Sequence, residues 1–181
     1  MSIFELWLPI VVSSGLVWIA SALIWTVLPW HKSDFSKVID EEGARAGLKG
    51  LAPGQYMLPY CIDPKEIENP ELRKKFEEGP VVYLTAMPNG VPQMGGRVAK
   101  SFVYNLVVGT LCAYLLTRTM MMADYLSVFQ LTGTVAFAAY GFAYIQESIW
   151  FGRPWSTTGK SFLDALIYSL LTGGVFGWLA I

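Results

Sequence analysis

The chain has 181 residues, of which 54% are hydrophobic and 15% charged, with a formal net charge of −1 and one histidine. A soluble domain carries about 25% charged residues, so the composition argues against an ordinary soluble fold. The near-neutral charge, without a basic cluster, argues against nucleic acid as a partner, and the two cysteines, Cys61 and Cys112, provide no disulfide framework.

The charges are unevenly placed. None lies between Glu5 and His31, between Lys100 and Arg118, between Asp124 and Glu147, or after Asp164. A hydrocarbon core needs a helix of roughly 20 apolar residues, and within lipid a lone segment satisfies its backbone only as a helix. The pattern predicts transmembrane helices near 6–30, 101–117, 125–146 and 162–181. The first carries an Ala20-Ser21-Ala22 triplet that mimics a signal-peptide cleavage site. Its start holds Glu5 and no Lys or Arg, and its apolar run outlasts a signal h-region, so it is expected to stay as a helix.

The face Trp7, Val11, Ser14, Trp18, Ser21, Trp25 recurs at alternating steps of four and three on one side of the first helix. Trp7, Trp25 and Trp30 suit the aromatic belts at a membrane interface. Trp18 falls mid-membrane, where a tryptophan seam suits a partner helix, a lipid or a pigment. With His31 this face is the expected partner or ligand contact. His31 follows Trp30 where the chain leaves the membrane. It reads first as an interfacial histidine, and second as an axial ligand to a haem or pigment or as a proton-transfer group.

Residues 31–100 carry most of the charge of both signs and read as a small α+β insert. A helix is expected at 40–48 and an extended run from Gln55 to Cys61, framed by Pro53, Pro59 and Pro64. Asp63-Pro64 and Asn69-Pro70 read as N-caps followed by proline at the first helical position. The second opens "PELRKKFEE", stopped by Gly79 and Pro80. "VVYLTAM", from Val81, is a strand by propensity, and Pro88-Asn89-Gly90 turns the chain. A metal site built from His31, Met57 and Cys61 with Asp63 lacks a fourth ligand at a recognised spacing. The stretch reads more simply as a stiff, proline-bounded segment. Two strands and two short helices make a marginal core, so the insert is expected to lean on a membrane surface or a partner.

The later segments carry small-residue ridges four apart, the usual packing device between helices in lipid. One runs Ser101, Asn105, Gly109, Ala113, Thr117. A second runs Ala165, Ser169, Gly173, Gly177, and the third segment shows Thr132, Ala136, Ala139 and Ala143. The three ridges are expected to nest together with little lumen, with Asn105 hydrogen-bonding across the bundle. At the helix ends, Lys160 and Asp164 lie one turn apart and are expected to pair, and Arg153 to reach Glu147, as an edge network rather than a proton path. "RTMMMADY" offers three methionines as soft copper ligands, though such a loop more simply dips into the interface.

All of the 13 lysines and arginines except Arg118 fall in 31–100 or the 147–161 loop. The positive-inside rule then makes 31–100 cytoplasmic and both termini periplasmic. The strings "LPWHKSD", "PGQYMLPYC", "DPKE", "KKFEEGPV" and "SIWFGRPW" resemble a family of small four-helix bacterial inner-membrane proteins without an assigned activity. The resemblance covers most of the length and implies a multi-pass location in the bacterial inner membrane.

The reading is an all-α integral membrane protein with four transmembrane helices and a small α+β cytoplasmic insert between the first two. The divisions are 1–30, 31–100 and 101–181. No Gly-rich phosphate loop, zinc-protease helix or nucleophile elbow is present. The expected role is a non-catalytic accessory subunit of a respiratory or photosynthetic membrane complex. Its partners would be other integral membrane subunits and the bilayer. It would carry no obligatory cofactor. The alternative is a binding protein for a pigment, haem, lipid or metal using His31, Cys61 or the Trp face.

Overall fold

The computed structural model describes residues 2–119 and 124–181. They fall into two compact units: a helical body, 1–35 with 93–181, and an insert, 36–92. The insert is narrower than the 31–100 expected, because His31 and the start of the second long helix belong to the body.

Among the described residues of the body the α-helices are α1 Trp7–Thr26, α4 Met94–Thr119, α5 Tyr125–Gly141, α6 Ala143–Phe151 and α7 Trp155–Leu179. Those of the insert are α2 Glu41–Gly47 and α3 Pro70–Glu78, with strands β1 Gly54–Leu58 and β2 Val82–Ala86. Four stretches are long and apolar enough to cross a membrane: Ile3–Thr26, Met94–Thr119, Tyr125–Phe151 and Trp155–Leu179. Three of them outrun the charge-free windows, since Arg97 and Lys100 sit on α4, Glu147 on α6, and Lys160 and Asp164 on α7. Charge marks where a helix leaves an apolar medium, not where its hydrogen bonds stop. The first stretch ends earlier than residue 30, before Pro29, which has no amide to donate.

Local chemistry sets the ends. Asp124 caps α5 by accepting from the Ser127 amide at 2.9 Å, and the Ser127 hydrogen bonds hold its carboxyl below the usual aspartate value. Gly152 closes α6 at φ +69°, a left-handed conformation that glycine adopts without a Cβ penalty.

The ridges pack, but not as one nest. A Cβ on Gly173 would lie 2.9 Å from the Phe129 carbonyl and 3.3 Å from the Gly133 Cα, so α7 meets α5 backbone to backbone. Gly177 likewise faces Tyr125. Gly109 faces the other way, onto Ile10 and Ser14 of α1. The α4 ridge is therefore seated against the first helix, a departure from the expected three-ridge nest. Contact between α4 and α5 is made by Cys112, whose thiol donates to the Thr132 carbonyl at 3.5 Å, and by Tyr104 and Asn105, which bond Ala139 and Tyr140. Ala113, Ala136, Ala165 and Ser169 are buried, while Ala139 is half-buried and Ala143 exposed.

In the insert, β1 and β2 pair antiparallel with Tyr56 opposite Leu84. Asp40 caps α2 through the Gly43 amide. Asp63 caps a 3-10 turn at Pro64–Glu68, and Asn69 caps α3. Pro59 is the one buried residue in 36–92. Leu72 and Phe76, one turn apart on α3, are half-buried.

Candidate functional site

Four side chains of the body close a network around His31. After α1, a 3-10 turn at Trp30–Ser33 turns the imidazole inward. Its Nδ1 lies 2.6 Å from Asp34 Oδ2 and its Nε2 lies 2.9 Å from Asp164 Oδ2 of α7. Lys160, one turn before Asp164, donates to Asp34 Oδ1 at 2.6 Å and to Ser33 Oγ at 2.8 Å. The His31, Asp34 and Asp164 side chains are 3%, 2% and 7% exposed, and Lys160 is 23% exposed. Trp25 stacks on the imidazole with centroids 4.0 Å apart and planes 5° from parallel. Trp30 meets it edge-on at 6.2 Å.

The geometry fixes the proton count. A neutral imidazole has one N–H and one lone pair. A carboxylate on each nitrogen is therefore satisfied only by one further proton, either on the ring or on a carboxyl. With an imidazolium the network balances two carboxylates against Lys160 and His31. This is the condition under which buried charges are tolerated. Burial alone would push the Asp34 carboxyl up. The hydrogen bonds from Lys160 and His31 outweigh that and hold it below the usual 3.8.

This overturns two expected pairings. Lys160 bonds Asp34, not Asp164, and Asp164 bonds His31. Arg153 does not reach the Glu147 side chain: its Nη2 donates to Ser161 Oγ at 2.8 Å, and its guanidinium lies 4.4 Å over the Tyr144 ring. Lys160 and Asp164 share one face of α7 a turn apart, and the turn after α1 places His31 and Asp34 between them.

Asp164 also lines a cavity of about 330 Å³ that opens at the surface of the body beside the exposed Trp25, Ser101, Tyr104 and Ala143. Its walls carry Asn105, Tyr104, Tyr140, Tyr144 and Tyr168, with Ser21 and Trp25 from α1. Tyr140 packs edge-on against Tyr104 at 5.7 Å and against Tyr168 at 5.4 Å. The Tyr104 hydroxyl donates to the Ala139 carbonyl at 2.7 Å. Asn105 does reach across the bundle, its Oδ1 accepting from Tyr140 at 3.4 Å. Two polar atoms of the lining residues are buried without a partner: Asp164 Oδ1, an acceptor, and Asn105 Nδ2, a donor.

The expected contact face of α1 is divided. Trp7 and Trp25 are exposed. Ser14 is buried and donates to Ile10 O at 2.7 Å within its own helix. Trp18 packs on Phe102 of α4 and donates to the Val98 carbonyl at 3.3 Å. Ser21 donates to the Trp18 carbonyl at 2.8 Å. Ser14, Trp18 and His31 therefore serve the chain's own bundle. His31 offers no free nitrogen to a haem or metal unless a carboxylate contact is given up. In the insert, the Cys61 thiol donates to the Asp63 carbonyl at 3.3 Å, and burial together with the Glu66 and Asp63 carboxylates pushes its pKa up. Among the described residues no three His, Cys, Asp or Glu side chains form a metal-holding group. Met120, Met121 and Met122 lie outside the described residues.

Asp34 and the four tyrosines escaped the sequence reading. A signal for part of the site was present: Ser161, Asp164 and Tyr168 fall three and four apart, a polar stripe on an otherwise apolar segment.

No family model matches the chain, and no solved structure matches it. It is similar to WD repeat-containing protein 18 of Homo sapiens and of Mus musculus, at 28% identity over 105 residues, 53% of this chain. The Bos taurus protein of that name is 27% identical over the same length. The chain spans only 24% of the length of these relatives. A WD repeat builds a four-stranded blade, whereas the sheet among the described residues has two strands. At this identity and coverage the similarity assigns the chain to no family.

Proposed function

We propose that the protein is a non-catalytic, four-helix protein of the bacterial inner membrane that binds a small polar ligand in the cavity lined by Asp164. The observation that carries this reading is the pair of unpartnered buried atoms, Asp164 Oδ1 and Asn105 Nδ2, on residues lining one cavity. Leaving a buried polar group unpaired costs about 1–3 kcal/mol, so a ligand that draws the Asp164 and Asn105 side chains toward the cavity would relieve two such groups at once. The cavity holds far more than a single water, which takes about 30 Å³ in the liquid. Its size falls at the lower end of ligand sites, roughly 300–1,000 Å³.

The non-catalytic part rests on His31. Both ring nitrogens face carboxylates, so neither is placed to take a proton from a nucleophile. The membrane placement rests on the four apolar helices and on the outward-facing large side chains, such as Trp7, Leu23, Val103 and Trp178. The insert is cytoplasmic on this reading. Cys61 is half-buried and Cys112 buried, so an impermeant maleimide should label Cys61 in inverted vesicles and not in intact cells. Labelling of intact cells would reverse the sidedness.

A second reading, an accessory subunit of a larger membrane complex, is favoured by the insert. With Pro59 alone buried, the insert leaves Ile39, Val91 and Ile62 exposed, and a partner subunit would cover them. One experiment separates the two. The protein is extracted from native membranes in a gentle detergent, and the particle is examined by native mass spectrometry. A particle of one or a few copies that keeps a stoichiometric small molecule supports the binding protein. A large particle of fixed, mixed composition supports the subunit. Retention of neither ligand nor partner rejects both.

A further inference from the structure

We propose that the cavity takes an organic ammonium group in exchange for the proton shared by His31 and Asp164. The inference rests on the binding reading above and names the ligand class and its regulation.

Charge selects the class. Asp164 is the one formally charged residue among the cavity's lining residues, so an anion would meet a carboxylate with no cation beside it. An ammonium N–H is the donor that the unpartnered Asp164 Oδ1 lacks, and charge-assisted bonds of this kind are roughly twice as strong as neutral ones. The rings of Tyr104, Tyr140 and Tyr168 add surfaces to which a cation is drawn within about 6 Å of a centroid. Arg153 already lies over the Tyr144 ring and is bonded to Ser161. The Asn105 Nδ2 donor calls for an acceptor oxygen on the same ligand. An ammonium close to an oxygen is the chemistry of an amino alcohol and of an ethanolamine headgroup alike.

Charge balance supplies the exchange. The charged groups around His31 and Asp164 are Asp34 and Lys160 on one side and Arg153 behind Ser161. The four tyrosines are the remaining titratable neighbours. His31, Asp34, Asp164 and Lys160 sum to zero with one shared proton. A ligand cation beside Asp164 adds a positive charge where the dielectric is low. Release of the proton that Nε2 shares with Asp164, outward through the cavity as the ammonium takes its place, restores neutrality. Asp164 then serves the ammonium while Nδ1 keeps its bond to Asp34. A site that trades a proton for a cation binds more tightly as pH rises.

The test uses the full-length protein, delipidated in detergent, with phenethylammonium and its neutral isostere phenethyl alcohol as probes. Calorimetry in two buffers of different ionisation enthalpy counts protons. The expected result is at least about tenfold tighter binding of the ammonium and release of about one proton per ligand. Asp164→Asn should abolish the preference. Because that variant alters a buried network, the wild-type comparison of the two probes decides. Equal affinity for both overturns the cation class and leaves the binding site standing. A preference without proton release overturns the exchange. Failure of both probes to bind, with no ligand retained on gentle extraction, overturns the inference and the binding reading together. Where binding is found, an ethanolamine phospholipid retained on gentle extraction and displaced by phenethylammonium makes the headgroup the source. Binding with no retained lipid makes it a free amine.

Discussion

The helical body and the insert are built on opposite rules. In the body the buried positions include Ser13, Ser14, Asn105, Thr132, Ser161, Asp164 and Thr172, while Trp7, Leu23, Trp25 and Trp178 face outward. On the proposed membrane placement, lipid removes the hydrophobic reason to turn apolar side chains inward, and close packing and hydrogen bonds decide what lies inside. The insert has the usual soluble alternation on β2 but almost nothing beneath it: Val82, Leu84 and Ala86 are half-buried and Tyr83 and Thr85 exposed. Its helices are set by local devices, the Asp40, Asp63 and Asn69 caps, while its strands join residues distant in sequence, Gly54 with Ala86 and Leu58 with Val82. Helix placement in the body is a matter of long-range contact, and the helices of the insert are a matter of neighbours in sequence.

The largest effect should come from breaking the network that joins α1 to α7. His31→Ala leaves Asp34 and Asp164 buried without their shared partner and removes the ring stacked on Trp25. Removing one member of a buried ion pair typically costs about 3–5 kcal/mol. Detergent-denaturation midpoints should fall accordingly, and a loss within about 1 kcal/mol would mean that the network does not hold the helices together. The insert offers no counterpart, since its ion pairs, such as Arg73 with Glu77, are exposed and worth about 0–1 kcal/mol.

Acid should do part of the same damage. The folded Asp34 carboxyl is held below its usual 3.8, so its contribution is complete above that value and is lost as the pH falls through it toward the folded value. Stability should therefore decline as the pH falls below about 4. In Asp34→Asn the baseline is lower and this slope shallower. An unchanged slope would assign the acid sensitivity elsewhere.

Close packing comes next in size. Gly173→Ala places a Cβ 2.9 Å from a backbone carbonyl of α5, whereas Gly174→Ala meets nothing within 4 Å. The first should cost about 1–3 kcal/mol through overpacking. The second should be neutral or favourable by up to about 1 kcal/mol, from helix propensity. Two adjacent glycines of opposite tolerance make the contact face of α7 directly readable, and equal effects would deny it.

The same contrast explains what the sequence discloses. Charge-free windows announced four helices, and the caps Asp63 and Asn69 were legible because a cap is a three-residue event. The glycine spacing announced ridges on α4 and α7 but not their partners, because Gly109 and Gly173 look alike in sequence and face different helices. His31 was noticed as the lone histidine. Its partner Asp164 lies 133 positions away, and no local spacing rule reaches that far. The tyrosine wall was hidden for the same reason, since Tyr104, Tyr140 and Tyr168 come from three different helices.

The smallest effect should be the most confined. Asn69→Ala removes the side chain that accepts from the Glu71 amide at 2.9 Å at the start of α3, a loss of about 1 kcal/mol for an N-cap. Leu72 and Phe76 are only half-buried, so little tertiary packing resists fraying of that helix. Limited proteolysis of the purified protein should cut within 70–79 several-fold faster in the variant, since local opening governs such cleavage. The unfolding midpoint of the body should stay where it is. A shift in that midpoint would mean that the insert's local order is coupled to the long-range contacts of the helices, and the two building rules would then not be separable.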